Sequence, residues 1–250
     1  MEKEAAFFTL HEVRKSFGTR VVLDGVSCEI ERGKTTVVLG GSGAGKSVLL
    51  KHLNGLLQPD SGSVKMEETE ISDLPESRLL ELRKRIGILF QDGALFDSMS
   101  VEENVSFPLL ESGIRDRKRI ADQVERALEM VGLSGERAKM PGDLSGGMRK
   151  RVSLARAMIT KPDCLLCDEP TAGLDPVLSD SIAHQIRDLT QESDMTAVVV
   201  THDLGALKIV ADRALFLQDG ELVFDGDLKD LFSSSEPAVV EFLSAGGGRG

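Results

Sequence analysis

The chain has 250 residues, enough to bury one sizeable core, and its 41 acidic and 30 basic side chains leave a net charge of −11. That balance argues against a dedicated nucleic-acid binder, and with Trp and Tyr absent only Phe or His could stack on bases. Three cysteines cannot build a disulfide framework and fit a reducing compartment. The opening stretch MEKEAAFFTL lacks the apolar segment of a secretory signal, and no apolar run approaches the roughly 20 residues needed to cross a bilayer. The expectation is a soluble, cytoplasmic chain that needs a partner if it works at a membrane.

In chain order, residues 7–30 alternate and carry the turn signals Phe17-Gly18 and Asp24-Gly25, predicting short antiparallel strands. TTVVLG (35–40) reads as a buried strand, 47–57 as a helix with Val48, Leu49, Leu53 and Leu56 at apolar positions, and IGILF (86–90) as a further strand. From about 100 to 158 the pattern is helical, with Ile120, Val124, Leu128 and Val131 on one face and Arg117, Lys118 and Arg119 on the other. Strands resume at CLLC (164–167) and TAVVV (196–200), with a helix over 177–192 between them, and LFLQDGELVFDG (215–226) reads as a hairpin turning at Asp219-Gly220. Cys164 and Cys167, three apart in a strand, point to opposite faces and read as small buried residues rather than a metal or redox pair. The fold expected is α/β with a mainly parallel sheet, N-terminal antiparallel strands and a helical subdomain at about 97–158. The domain is expected to span 1–245, with a flexible Gly-rich tail at 246–250.

Gly40-Gly41-Ser42-Gly43-Ala44-Gly45-Lys46-Ser47 fits G-x-x-x-x-G-K-[ST] and sits between a predicted strand and a predicted helix starting near Val48. Glycines let backbone N–H groups approach phosphates, and the helix N-terminus adds partial positive charge. Lys46 is the expected partner of the β- and γ-phosphates of ATP, and the Ser47 hydroxyl an expected ligand of Mg²⁺. Asp168, at the carboxyl end of CLLCD, is the expected second magnesium ligand, and Glu169 is free to polarise a water.

A second cradle, LSGGM (144–148), opens another predicted helix, where Ser145, Gly146 and Gly147 offer a hydroxyl and exposed N–H groups. It belongs to the helical stretch rather than the sheet. A nucleotide wrapped by its own glycine loop has one open side, so a head-to-tail homodimer would let each second cradle close over the other subunit's ATP. The basic runs 149–151 and 115–119 read as solvated helix faces.

Together these motifs resemble those of the ATP-binding-cassette (ABC) ATPases across nearly the whole chain: GGSGAGKS as Walker A, CLLCDE as Walker B and LSGGM as the signature. Gln91 matches the Q-loop, Ala172-Gly173-Leu174-Asp175 the D-loop and His202 the H-loop. The resemblance implies a P-loop ABC-type ATPase core in which Phe17 lies under adenine, Gln91 approaches Mg²⁺ and the water, and His202 contacts the γ-phosphate in cis. It further implies that Ser145 and Gly147 contact that phosphate in trans and that Asp175 crosses the dimer interface. Met148 departs from the usual Gln, at a position expected inside the helix and away from the phosphate. His11, His52 and His184 have no such context and are assigned no function.

The stretch LFQDGALFDSMSVEENVSFPL (89–109), with LSGGM, is similar to the ATPases of Mla/Mce-type lipid transporters. That similarity implies an integral MlaE-type permease, an MCE-domain lipid carrier, phospholipid or related cargo, and a peripheral position on the cytoplasmic face of the inner membrane. A cassette for another small molecule is the alternative. A cassette acting on nucleic acid or ribosomes would carry two cassettes or a long coiled-coil insert, and a kinase or GTPase would have no use for a second cradle.

Overall fold

The computed structural model describes residues 5–246. The chain opens with β1 (Ala6–Phe17) and β2 (Arg20–Glu31), then β3 (Thr35–Gly40), α1 (Lys46–Leu53), β4 (Ser61–Met66), β5 (Thr69–Glu70), α2 (Glu76–Arg83) and β6 (Ile86–Leu89). A wholly helical stretch follows: α3 (Val101–Glu111), α4 (Arg117–Met130), a short 3-10 turn (Pro141–Asp143) and α5 (Gly146–Met158). The remainder alternates as β7 (Cys164–Asp168), α6 (Pro176–Glu192), β8 (Thr196–Val200), α7 (Leu204–Val210), β9 (Arg213–Gln218), β10 (Glu221–Asp227), α8 (Leu228–Phe232) and α9 (Pro237–Ser244). Of the glycine-rich tail, all but Gly246 lies outside the described residues.

Two sheets form. One is antiparallel in the order β2-β1-β4-β5; the other runs β10-β9-β3-β8-β7-β6 and is parallel except at its β10 edge. The parallel strands are apolar on both faces, as a sheet covered on both sides requires. Val37, Leu39, Leu165, Cys167, Ala197 and Val199 face a core built with the helices, while Val38, Cys164, Leu166, Val198 and Val200 face the antiparallel sheet. Cys164 and Cys167 therefore sit on opposite faces, free and buried, and burial drives both thiols upward, Cys167 to about 12.

Three local expectations change. The N-terminal strands are long, and only Phe17-Gly18 turns the chain. Asp24-Gly25 lies inside β2, where the pairing slips by a residue between Val13↔Val26 and Lys15↔Leu23. Gly25 at φ 76 supplies the left-handed backbone of that bulge, and Arg14 pairs with Asp24 across it. Finally, α1 stops at Leu53, because Gly55 (φ 66) leaves the helix and the Asn54 side chain accepts from the Leu56 amide at 3.0 Å, leaving Leu56 exposed.

Candidate functional site

At the carboxyl edge of the parallel sheet the loop after β3 turns sharply into α1. Gly45, at φ 104, caps that helix, and its carbonyl accepts from the Leu49 amide at 2.8 Å. The Lys46 ammonium is buried and donates to the carbonyls of Gly40 at 2.8 Å and Gly41 at 3.0 Å. Burial lowers its pKa, against the pull of the carboxylates of Glu169 and Asp168.

β7 delivers the carboxylates. Ser47 Oγ donates to Asp168 Oδ1 at 3.0 Å, pairing a hydroxyl with a carboxylate, both hard oxygen donors of the kind Mg²⁺ takes. Burial raises the Asp168 pKa, the Ser47 hydrogen bond opposes the shift, and Glu169 adds to it. Among the described residues no three His, Cys, Asp or Glu side chains cluster to hold a metal alone.

Glu169 adopts φ 47, a strained value for a residue with a side chain, and its amide donates to Val200 O at 2.9 Å. Its Oε1 lies 3.0 Å from His202 Nδ1, while Oε2 is buried with no hydrogen-bond partner among the described residues. A carboxylate held by an imidazole at one oxygen and without a hydrogen-bond partner at the other is a chemically competent acceptor of a water's proton.

These groups share one cleft of about 1030 Å³, lined by Phe17, residues 40–48, Gln91, Glu169 and His202. Asp168 borders it through Ser47. Half-exposed Phe17 stands at its rim beside Arg20, whose guanidinium reaches Gly43 O at 3.4 Å. Sequence reasoning missed Arg20, since a lone arginine at a strand start carries no pattern.

Ser145, Gly146, Gly147 and Asp175 are absent from the cleft lining. Ser145 caps α5, accepting from the Met148 amide at 3.3 Å, so the Met148 N–H is spent inside the helix and its side chain packs on the core. Exposed Asp175 caps α6 by accepting from the Leu178 amide at 3.0 Å. Within Arg149-Lys150-Arg151 only Lys150 departs from expectation: Arg149 is exposed and donates to Leu144 O, Arg151 is partly exposed and donates to Ser181 Oγ, whereas Lys150 is buried against the backbone of Gln91 and Glu169. Lys150 is misread as solvated because charge patterning does not reveal which helix face meets a loop.

Comparison with known proteins gives the family. Residues 23–172 match the ABC transporter family. The chain is 43% identical over 230 residues to the probable ribonucleotide transport ATP-binding protein mkl of Mycobacterium leprae, covering 92% of this chain and 66% of that protein, so it spans just under two thirds of that relative. It is 39% identical over 226 residues to the intermembrane phospholipid transport system ATP-binding protein MlaF of Haemophilus influenzae, covering 90% of this chain and 86% of that one. The dimeric post-hydrolysis structure of the ATP-binding cassette MJ0796 bound to ADP and Pi superposes with a TM-score of 0.82 at 30% identity, covering 88% of this chain and 98% of that chain. With its glycine loop, acidic strand end and histidine gathered in one cleft, the chain belongs to the ABC transporter family as an ATPase cassette.

Proposed function

We propose that the chain powers a membrane transporter of the Mla/Mce type, moving phospholipid or a related lipid between membranes by hydrolysing ATP as a homodimer. In this reading Phe17 stacks on adenine, residues 40–48 wrap the phosphates, and Lys46 leaves its loop carbonyls for the β- and γ-phosphates. Ser47, Asp168 and Gln91 would hold Mg²⁺, which when bound neutralises phosphate charge. Glu169 takes the proton of the attacking water, and His202 holds the Glu169 carboxylate and contacts the γ-phosphate. Ser145, Gly146, Gly147 and Asp175 serve the partner's nucleotide. The observation that carries this is the separation of the two cradles: one lines the cleft with Glu169 and His202, the other stays outside it.

The lipid cargo rests on the segment 89–109 and on the likeness to MlaF over most of both chains. A MlaE-type permease on the inner membrane, with the cassette at its cytoplasmic face, and an MCE-domain carrier complete the assembly. A second reading, another small-molecule cargo, is supported by the relative named for ribonucleotide transport. No nucleic-acid partner is proposed for so acidic a chain. Purification from detergent-solubilised membranes should bring down an integral permease. Vesicles rebuilt from that complex should then move a fluorescent phospholipid, and not a ribonucleotide, when ATP is added. Ribonucleotide movement without lipid movement would replace the cargo, and absence of any permease would remove the transporter reading.

A further inference from the structure

One face of α5 grips a loop by its backbone. Lys150, Ser153 and Arg156 recur every third residue, so they share a side of the helix. The Lys150 ammonium donates to the carbonyl of Gln91 and, at 3.3 Å, to that of Glu169. Ser153 Oγ lies 2.8 Å from Gly93 O, and the Arg156 guanidinium donates to Gly93 O and Ala94 O, each at 2.7 Å. The approach is close: a Cβ on Gly93, at φ 77, would stand 2.6 Å from Ser153 Oγ.

Of the three side chains, only Lys150 reaches both the Gln91 loop and the turn after β7. It is 6% exposed, and burial lowers its pKa against the attraction of Asp92, Glu169 and Asp168. Burying an ammonium is unfavourable unless it is hydrogen-bonded, and a methionine would fill the same space without that penalty. A charge is kept where packing does not ask for one. Its acceptors are the carbonyls of two residues that line the cleft, and one of them, Glu169, holds a strained backbone.

We propose that Lys150 is a positioning residue for ATP hydrolysis: its ammonium fixes the peptide of Glu169 and the Gln91 loop against α5, so that the Glu169 carboxylate is aimed. The inference rests on the role given to Glu169 above. In the full-length homodimer, Lys150→Met should lower kcat by about tenfold or more while the KM and Kd for ATP stay within about threefold. Lys150→Arg, which can still donate to both carbonyls, should recover kcat to within about threefold of wild type. Hydrogen exchange, which does not depend on turnover, should quicken in Lys150→Met at 91–94 and 169–172 and leave the strands unchanged. A Lys150→Met enzyme within about twofold of the wild-type kcat would overturn the proposal. So would a loss that Lys150→Arg does not restore, or faster exchange spread over the whole core, either of which marks a packing residue. If the wild-type chain itself shows no turnover, the reading of Glu169 fails, and the exchange pattern alone decides whether Lys150 holds the two segments.

Discussion

The two glycine cradles look alike as strings and differ in what compels them. In the first, a Cβ on Gly40 would stand 2.3 Å from Leu217 O and one on Gly45 2.7 Å from Val22 O, with φ values of 147 and 104. Backbone cannot give way, so the chain's own fold requires glycine there. In the second, Gly146 and Gly147 begin a helix, and a Cβ on either would meet only leucine side chains, Leu174 at 3.4 Å and Leu178 at 3.3 Å. Nothing rigid within the chain forbids alanine at those positions. Any requirement for glycine at those two positions would have to come from outside the chain, as it would if the second cradle served a partner's nucleotide.

The largest effect should come from the first cradle's cleft. Glu169→Gln removes the proton acceptor but keeps the side chain's shape, and hydrolysis should fall by about 10²–10⁴-fold with ATP binding intact. A wild-type turnover rate in that variant would remove Glu169 from the chemistry. Lys46→Ala should instead abolish binding, since the phosphates lose their principal cation.

The glycines test the contrast directly. Gly45→Ala should strain the backbone by about 1–3 kcal/mol, lowering Tm at roughly 2–4 °C per kcal/mol for a chain this size, and lose nucleotide. Gly147→Ala should leave Tm within about 2 °C and leave binding by the isolated chain unchanged, yet stop hydrolysis by the dimer. Mixing Gly147→Ala with Lys46→Ala chains should restore one composite site per heterodimer. If demonstrated heterodimers stay as inactive as the separate preparations, the two cradles do not meet across subunits. If Gly147→Ala unfolds, the second cradle is constrained from within after all.

How far the sequence carries the reading depends on whether a signal is local. Cys164 and Cys167 follow from strand alternation alone, and the first cradle from a strand–loop–helix context that the structure shows. Asp24-Gly25 reads as a turn because the same dipeptide serves turns and bulges, and only pairing with β1 decides between them. β4 and α2 are left unread, SGSVKM and ESRLLELR being too short and too polar to carry a period. Lys150 is hidden for a related reason: its partners are backbone carbonyls, which have no letter in a sequence.

A smaller effect separates both cradles from the surface that follows the Gln91 loop. Phe96 is 42% exposed and packs against Phe107 with ring centroids 5.0 Å apart and the rings tilted by 56°, while Leu95 packs partly against the core, so the two are not equivalent. Asn104 holds the Phe96 backbone, accepting from its amide at 2.8 Å and donating to its carbonyl at 3.1 Å. Phe96→Ser should therefore keep the loop, ATP binding and Tm while weakening assembly with a permease. Leu95→Ser should lower Tm, because full burial of such a side chain is worth about 1.5–3 kcal/mol and part of that is lost. Equal loss of Tm in both variants would return Phe96 to ordinary packing.

The smallest effect concerns pH and again divides the cradles. Ser145, Gly146 and Gly147 carry no titrating side chain, whereas the first cradle has Lys46, lowered chiefly by burial, and beside it Asp168 of β7, raised chiefly by burial. A carboxyl whose folded pKa is raised adds stability in its protonated form, fully present below its unfolded pKa and lost as pH rises through the folded value. Without nucleotide, the ionised form of Asp168 is thus a burden on the fold at any pH above its folded value. Asp168→Asn, whose amide oxygen can still accept from Ser47, should raise Tm by about 2 °C or less at pH 7, and the gain should vanish in acid. Adding Mg²⁺ and ATP should reverse the order, because ligand binding to the folded state stabilises the wild type and the variant lacks the anionic oxygen. Thermal melts at pH 4 and pH 7, with and without Mg-ATP, read both signs. A variant less stable than wild type at pH 7 without nucleotide would mean that Lys46 and the Ser47 hydrogen bond outweigh burial, so that the cleft is already balanced before its ligand arrives.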